Sequence, residues 1–207
     1  MAKIVKLPLN NSSKLGYKKV RKSRRVNLED YGQLNIFTTP PSEAKVVSMQ
    51  RYESDFEQAL RYDEEDNSLA KEYYWKAIRA GECVADAYCN LGILESGLHN
   101  YAQAIDCFAN CLKHDPRHFE AHYNLANVYS ELNDLNLAKL HYEVSIEIEP
   151  DFECSYYNLA LVMAMLKDIK GAVKALYKYK EIAPEREHSH VDKLIINLQR
   201  SIKSNTQ

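Results

Sequence analysis

The chain has 207 residues, enough for one ordinary domain or a short run of repeats with a sizeable core. Hydrophobic residues make up 45% and charged residues 27%, and the formal net charge of −2 excludes a wholly basic nucleic-acid coat. No apolar run approaches the roughly eighteen residues of a membrane span, the first residues lack the apolar stretch of a secretory signal, and five irregularly spaced cysteines argue for a reduced, cytoplasmic compartment.

Residues 1–50 hold ten Lys and Arg against three Asp and Glu, a net of +7, which leaves −9 for residues 51–207. Lys14, Lys18, Lys19, Arg21, Lys22, Arg24 and Arg25 fall within twelve positions. Few large apolar residues lie nearby, so residues 1–47 are predicted to be a flexible basic arm. Such a block is a solvated tail, a segment that docks on the acidic remainder or on a protein partner, or a holder of nucleic-acid phosphate. Within it, Gln33-Leu34-Asn35-Ile36-Phe37 is apolar and flanked by Gly32 and by Thr38-Thr39-Pro40-Pro41. This stretch resembles the Gln-Leu-x-Leu-Phe peptide by which bacterial proteins dock on the replication sliding clamp, with Ile36 in place of Leu. Its other reading is a local apolar anchor on the first helices. A nucleic-acid-associated or clamp-associated adaptor is the function these two arm features would support.

The remainder holds few glycines and is rich in Ala, Leu, Tyr, Glu and Lys, a helical composition. The first helix is expected to start near Met49. Pro116, Pro150 and Pro184 are 34 residues apart, and Asn90-Leu91-Gly92, Asn124-Leu125-Ala126 and Asn158-Leu159-Ala160 keep the same period, as do Ala70, Ala104, Ala138 and Ala172. A fixed period of this length signals stacked units that cannot bury their apolar faces alone. Within one period, Ala121 to Leu132 reads as a helix with a core face, Asn133-Asp134 as a turn, and Leu135 to Ile148 as a second helix closed by Pro150. Further on, Val191, Leu194, Ile195, Leu198 and Ile202 form one stripe of a last helix.

The pattern Tyr88-x2-Leu91-Gly92, Ala104-x3-Phe108, Pro116 resembles the tetratricopeptide repeat. The resemblance implies an all-α, right-handed solenoid of about four helix hairpins. Residues 48–84 are a degenerate first repeat, residues 85–118, 119–152 and 153–186 are repeats in register, and residues 187–207 are a capping helix and tail. In the repeat at 153–186, Leu176 replaces the usual aromatic residue and Tyr179 occupies a normally small position, so Tyr179 is expected to pack on the next segment of the chain.

First helices of this family line a concave groove. The groove positions carried across by the resemblance are Asp86, Cys89 and Ile93, then Glu120, Tyr123, Asn127 and Glu131, then Cys154, Tyr157, Leu161 and Met165. The resemblance implies a non-catalytic module, an adaptor or scaffold, that receives a peptide or protein segment. Some members clamp a chaperone's C-terminal carboxylate with Lys and Arg on first helices; Cys89, Tyr123, Tyr157, Ile93, Asn127 and Leu161 stand at those positions here, with no cation among them. The trough should therefore favour a basic and apolar segment, the arm itself included. The tyrosines have a second reading, as stacking residues between neighbouring repeats.

Signals for chemistry are weak. Cys107 and Cys111 are four apart on a second helix, but Cys111 holds a small-residue packing position and is read as a buried hydrophobe. His114, His118 and His122 fall at helical intervals interrupted by Pro116, and His188 and His190 lie in a polar connector. None of these is a zinc signature. No phosphate loop, Gly-x-Ser-x-Gly or His-Glu-x-x-His occurs, so no cofactor, metal or enzymatic activity is expected.

Overall fold

The computed structural model describes Lys19 and residues 53–204, the side chains through Ser201. The remaining basic-arm residues (Lys18, Arg21, Lys22, Arg24, Arg25) and the Gln33, Leu34, Ile36, Phe37 segment lie outside them. Among the described residues the secondary structure is all helical, in two units divided after Cys83.

The first unit holds α1 (Asp55–Glu64) and α2 (Leu69–Ala80). Helix α1 opens at Asp55, where Ser54 and Glu57 form a capping box; the expected start near Met49 lies outside the described residues. The Ser54 hydroxyl accepts the Glu57 amide at 3.2 Å and the Glu57 carboxylate accepts the Ser54 amide at 3.1 Å. Phe56, Ala59, Ala70, Tyr74 and Ala77 are buried, the Phe56 and Tyr74 rings lie 6.0 Å apart, and the Tyr74 hydroxyl donates to buried Asp63 at 3.1 Å. Gly81 ends α2 in the left-handed region at φ 76°, where a side chain would be strained.

The second unit holds α3 (Val84–Gly97), α4 (Tyr101–His114), α5 (Phe119–Glu131), α6 (Leu135–Ile148), α7 (Glu153–Met165), α8 (Ile169–Ile182), one 3-10 turn (Glu185–Glu187) and α9 (His188–Ser204). The 34-residue period is written into its turns. His99, Asn133 and Lys167 each take positive φ, between 59° and 65°, as each first helix hands over to its second. The next residues, Asn100, Asp134 and Asp168, stand as N-caps, and the two aspartates accept amides of Leu137 and Gly171.

Close approach within each hairpin needs a small residue under a large one. Gly92 lies beneath Phe108: a Cβ on Gly92 would sit 2.6 Å from the Phe108 ring. Ala126 with Tyr142, and Ala160 with Leu176, repeat the pairing at 34-residue steps, all buried. Each apolar cluster then joins a hairpin to the next first helix. Phe108, Ala104 and Cys111 meet Ala121, Leu125 and Val128 of α5; Tyr142 and Ala138 meet Leu159 and Val162 of α7; Leu176 and Tyr179 meet Val191, Leu194, Ile195 and Leu198 of α9. Burial is therefore completed by the neighbour, as stacked units require. Tyr179 packs on the terminal segment as its unusual position implied: its hydroxyl donates to the Glu187 carboxylate and its ring tilts on Tyr157 at 5.3 Å.

Candidate functional site

The first helices α3, α5 and α7 carry five carboxylates, Asp86, Glu95, Glu120, Glu131 and Glu153, and no Lys or Arg. Burial divides the eleven candidate groove positions. Glu131 and Met165 are exposed; Asp86, Cys154 and Leu161 are half-buried. Cys89, Ile93, Glu120, Tyr123, Asn127 and Tyr157 are buried, engaged in packing one hairpin on the next.

The asparagines of the period explain much of that burial. Asn124 and Asn158 each reach back 35 residues. Asn124 donates to the Cys89 sulfur at 3.7 Å, and Asn158 donates to the Tyr123 hydroxyl and to the Asn127 side-chain oxygen, both at 3.1 Å. The Tyr142 hydroxyl closes the set by donating to the same Asn127 oxygen. Tyr123 also meets Phe152 edge-on at 5.0 Å and Tyr142 at 5.8 Å. Burial pushes the Tyr123 phenol well above its ordinary range, so it stays a neutral donor. Tyr157 is placed alike, its hydroxyl 3.4 Å from the His190 ring.

A second group of polar atoms lies inside α3, α4 and α5. The ligand atoms of Cys89, Cys111 and His118 all lie within 4.8 Å of one another, and all three residues are buried. His118 is the N-cap of α5: its Nδ1 accepts the Ala121 amide at 3.2 Å, and its Nε2 is 3.0 Å from Asp86 Oδ1. Glu120 lies 3.4 Å from Nδ1. Asp86 and the Cys111 sulfur favour a proton on His118 against its burial, and because Nδ1 accepts the Ala121 amide that proton sits on Nε2, facing Asp86. The Cys111 thiol is brought down to about 7 by its hydrogen bond with Cys89, against burial and with help from His118, while burial drives Cys89 upward.

The sequence profile of the Tetratricopeptide repeat family matches residues 85–118, and a second profile of the same description matches residues 107–139. Residues 85–139 are tetratricopeptide repeats. The described fold is the all-α solenoid of that family. Tetratricopeptide repeat protein 8 of Mus musculus is 28% identical over 111 residues, which are 54% of this chain and 21% of that protein. Uncharacterized protein ycf37 of Pyropia yezoensis is 29% identical over 110 residues, 53% of this chain and 51% of that one. The chain thus spans about half of one relative's length and 21% of the other's. Among solved structures, the first TPR of Spaghetti (RPAP3) bound to the HSP90 peptide SRMEEVD is similar at TM-score 0.53 and 17% identity, over 57% of this chain and 93% of that one. The TPR2B domain of yeast Sti1 in its pHsp70 complex is similar at 0.52 and 17%, over 56% and 97%. No helix among the described residues of this repeat protein is long and apolar enough to cross a membrane.

Sequence spacing missed two features of the repeats. Cys111 groups not with Cys107 but with Cys89 and His118, so the set comes from three separate elements. The other is a histidine pair between α5 and α6. His122 Nδ1 is 3.0 Å from His141 Nδ1, the rings stack at 5.3 Å, and Tyr129 also stacks with His141 at 5.6 Å. Burial first, then His122, pushes His141 down to about 4; burial also lowers His122, against the Pro116 carbonyl and Asp115 and with the repulsion of His118. Unfolded histidine takes its proton near pH 6.5, so the unfolded state binds protons that the folded pair refuses. Stability is then full above pH 6.5 and falls as the pH drops toward 4. Between pH 7 and pH 5 the histidine pair should contribute a loss of about 1–2 kcal/mol, allowing for the half-exposed rings and read by urea unfolding as the difference between the parent and His141→Gln. In His141→Gln the total loss should be smaller; an unchanged slope would contradict the assignment.

Proposed function

We propose that the repeats form a non-catalytic adaptor or scaffold module whose first-helix side receives a basic, apolar-containing segment of a protein partner. The observation that carries this reading is the charge of α3, α5 and α7: five carboxylates and no Lys or Arg. Partly exposed apolar side chains, Leu161 and Met165, accompany the carboxylates Asp86, Glu131 and Glu153 on these helices. Similar repeat domains hold peptides, one of them the acidic SRMEEVD. A peptide of that charge would meet like charge here, which costs affinity and slows encounter.

The arm of this chain fits the proposed ligand chemistry. Its net charge of +7 complements the −9 of the remainder, and Lys19 is half-buried and grouped with the α3–α9 unit. The arm would then compete with an outside partner. A labelled peptide of residues 14–25 should bind a chain lacking residues 1–47 at least about tenfold more tightly than SRMEEVD, weaken with added salt, and lose about tenfold on Glu131→Lys/Glu153→Lys. Binding should be weaker to the full chain. Equal affinity for both peptides would refute the charge argument.

A second reading rests on the seven basic residues between Lys14 and Arg25, which suit phosphate. It requires that DNA or RNA binding disappear on removal of residues 1–47 and fall steeply with salt.

A further inference from the structure

We propose that Cys89, Cys111 and His118 form a binding site for a thiophilic divalent metal ion, Zn2+, with a carboxylate of Asp86 or Glu120 beside it. Two sulfurs and an imidazole are the donor set that zinc takes in closed sites, where neighbouring ligand atoms stand about 3.3–3.8 Å apart. The three side chains offer atoms within 4.8 Å of one another, so closing on an ion needs side-chain adjustments of about an ångström, not a rearrangement of helices.

The supports around the set are those a metal site needs. Asp86 Oδ1 lies 3.0 Å from one ring nitrogen of His118 and Glu120 Oε2 lies 3.4 Å from the other. With its proton on Nε2 toward Asp86, His118 would meet the ion through Nδ1, giving up the Ala121 amide, while Asp86 holds the ring and Glu120 stands near the fourth position. Asn124 fixes the Cys89 sulfur from the next repeat. Two thiolates balance the charge of the ion, which makes their burial tolerable. The ligands come from α3, from α4 and from the cap of α5, so the ion would tie one hairpin to its neighbour at the point where Asp86 and Glu120 enter the first-helix row. This inference is independent of the proposed partner.

The test uses the full chain, reduced and stripped with chelator, titrated with Co2+ and then with Zn2+. The expected result is one equivalent of cobalt with thiolate-to-cobalt charge transfer in the near ultraviolet and the intense visible bands of a tetrahedral ion, displaced by Zn2+. Cys111→Ala and Cys89→Ala should each weaken binding about 100-fold or more, and Asp86→Asn about tenfold. Cys107→Ala, a buried cysteine outside the set, and His141→Gln, which removes the other histidine pair, should bind like the parent. Circular dichroism of each variant reports that it has folded. A parent that takes up no stoichiometric metal, or whose cobalt spectrum lacks the thiolate band, overturns the proposal. So does a folded Cys111→Ala with parental affinity, or a Cys89–Cys111 disulfide that forms in place of the metal complex.

Discussion

Phe108→Ala is expected to lower the unfolding free energy by about 3–5 kcal/mol, a large part of the stability of a domain this size. Phe108 is fully buried, and its ring fills the space left by Gly92 in the facing helix. It belongs to the cluster that joins α3 and α4 to α5, so its loss loosens both the hairpin and its junction with the next one. Gly92→Ala approaches the same contact from the other side: its methyl would lie 2.6 Å from the ring, and overpacking of this kind costs about 1–3 kcal/mol. Because the two residues share one space, Gly92→Ala/Phe108→Leu should cost less than the sum of its single changes. Urea denaturation of the parent, Phe108→Ala, Gly92→Ala, Phe108→Leu and the double variant measures this. A Phe108→Ala loss below about 1 kcal/mol, or additive costs in the double variant, would contradict the packing described.

The second large effect belongs to Asn158. Its amide is buried and donates to both the Tyr123 hydroxyl and the Asn127 side chain, bridging α7 to α5. Asn158→Ala removes both hydrogen bonds in a region closed to water, at an expected cost of about 2–4 kcal/mol. The phenol of Tyr123 and the amide of Asn127 depend on the same bridge, so Tyr123→Phe in the Asn158→Ala background should cost less than it does alone, by about 0.5 kcal/mol or more. Thermal and urea unfolding of the cycle provide the check. Independent effects would show that the asparagine stabilises its own helix and not the junction.

These two sites illustrate which parts of the fold were legible. The period of 34 residues, the small residues at Gly92, Ala126 and Ala160, and the apolar stripe of α9 emerge from spacing alone, because they reflect one hairpin repeated. The start of α1 depended on a local competition that the apolar pattern does not reveal: Ser54 and Glu57 cap each other, and the helix begins where they do. The asparagines were visible as a repeated residue, but their role required knowing that the next repeat's Asn lies against the previous repeat's position 35 residues earlier. Sequence spacing gives the face of a helix; it does not say whether a neighbour covers that face.

The same distinction governs the candidate groove. Tyr123 and Tyr157 occupy first-helix positions, yet each is covered by an aromatic or polar residue of a later element, Phe152 and Asn158 for one, Tyr179 and His190 for the other. Large side chains reach the neighbouring repeat, whereas Asp86, Cys154 and Leu161 remain half-buried and Glu131 and Met165 exposed. The cysteine and histidine group was illegible for another reason: its members are 22 and 7 positions apart in the chain, spacings that match no helical or metal-finger pattern, and only the packing of three helices brings them together.

The most direct measurement is a titration of an isotope-labelled chain lacking residues 1–47 with the peptide of residues 14–25, monitored by amide chemical shifts. The account predicts saturable shifts concentrated on α3, α5 and α7, largest near Asp86, Glu131, Leu161 and Met165. Shifts confined to α4, α6 and α8, or none at peptide excess, would contradict it.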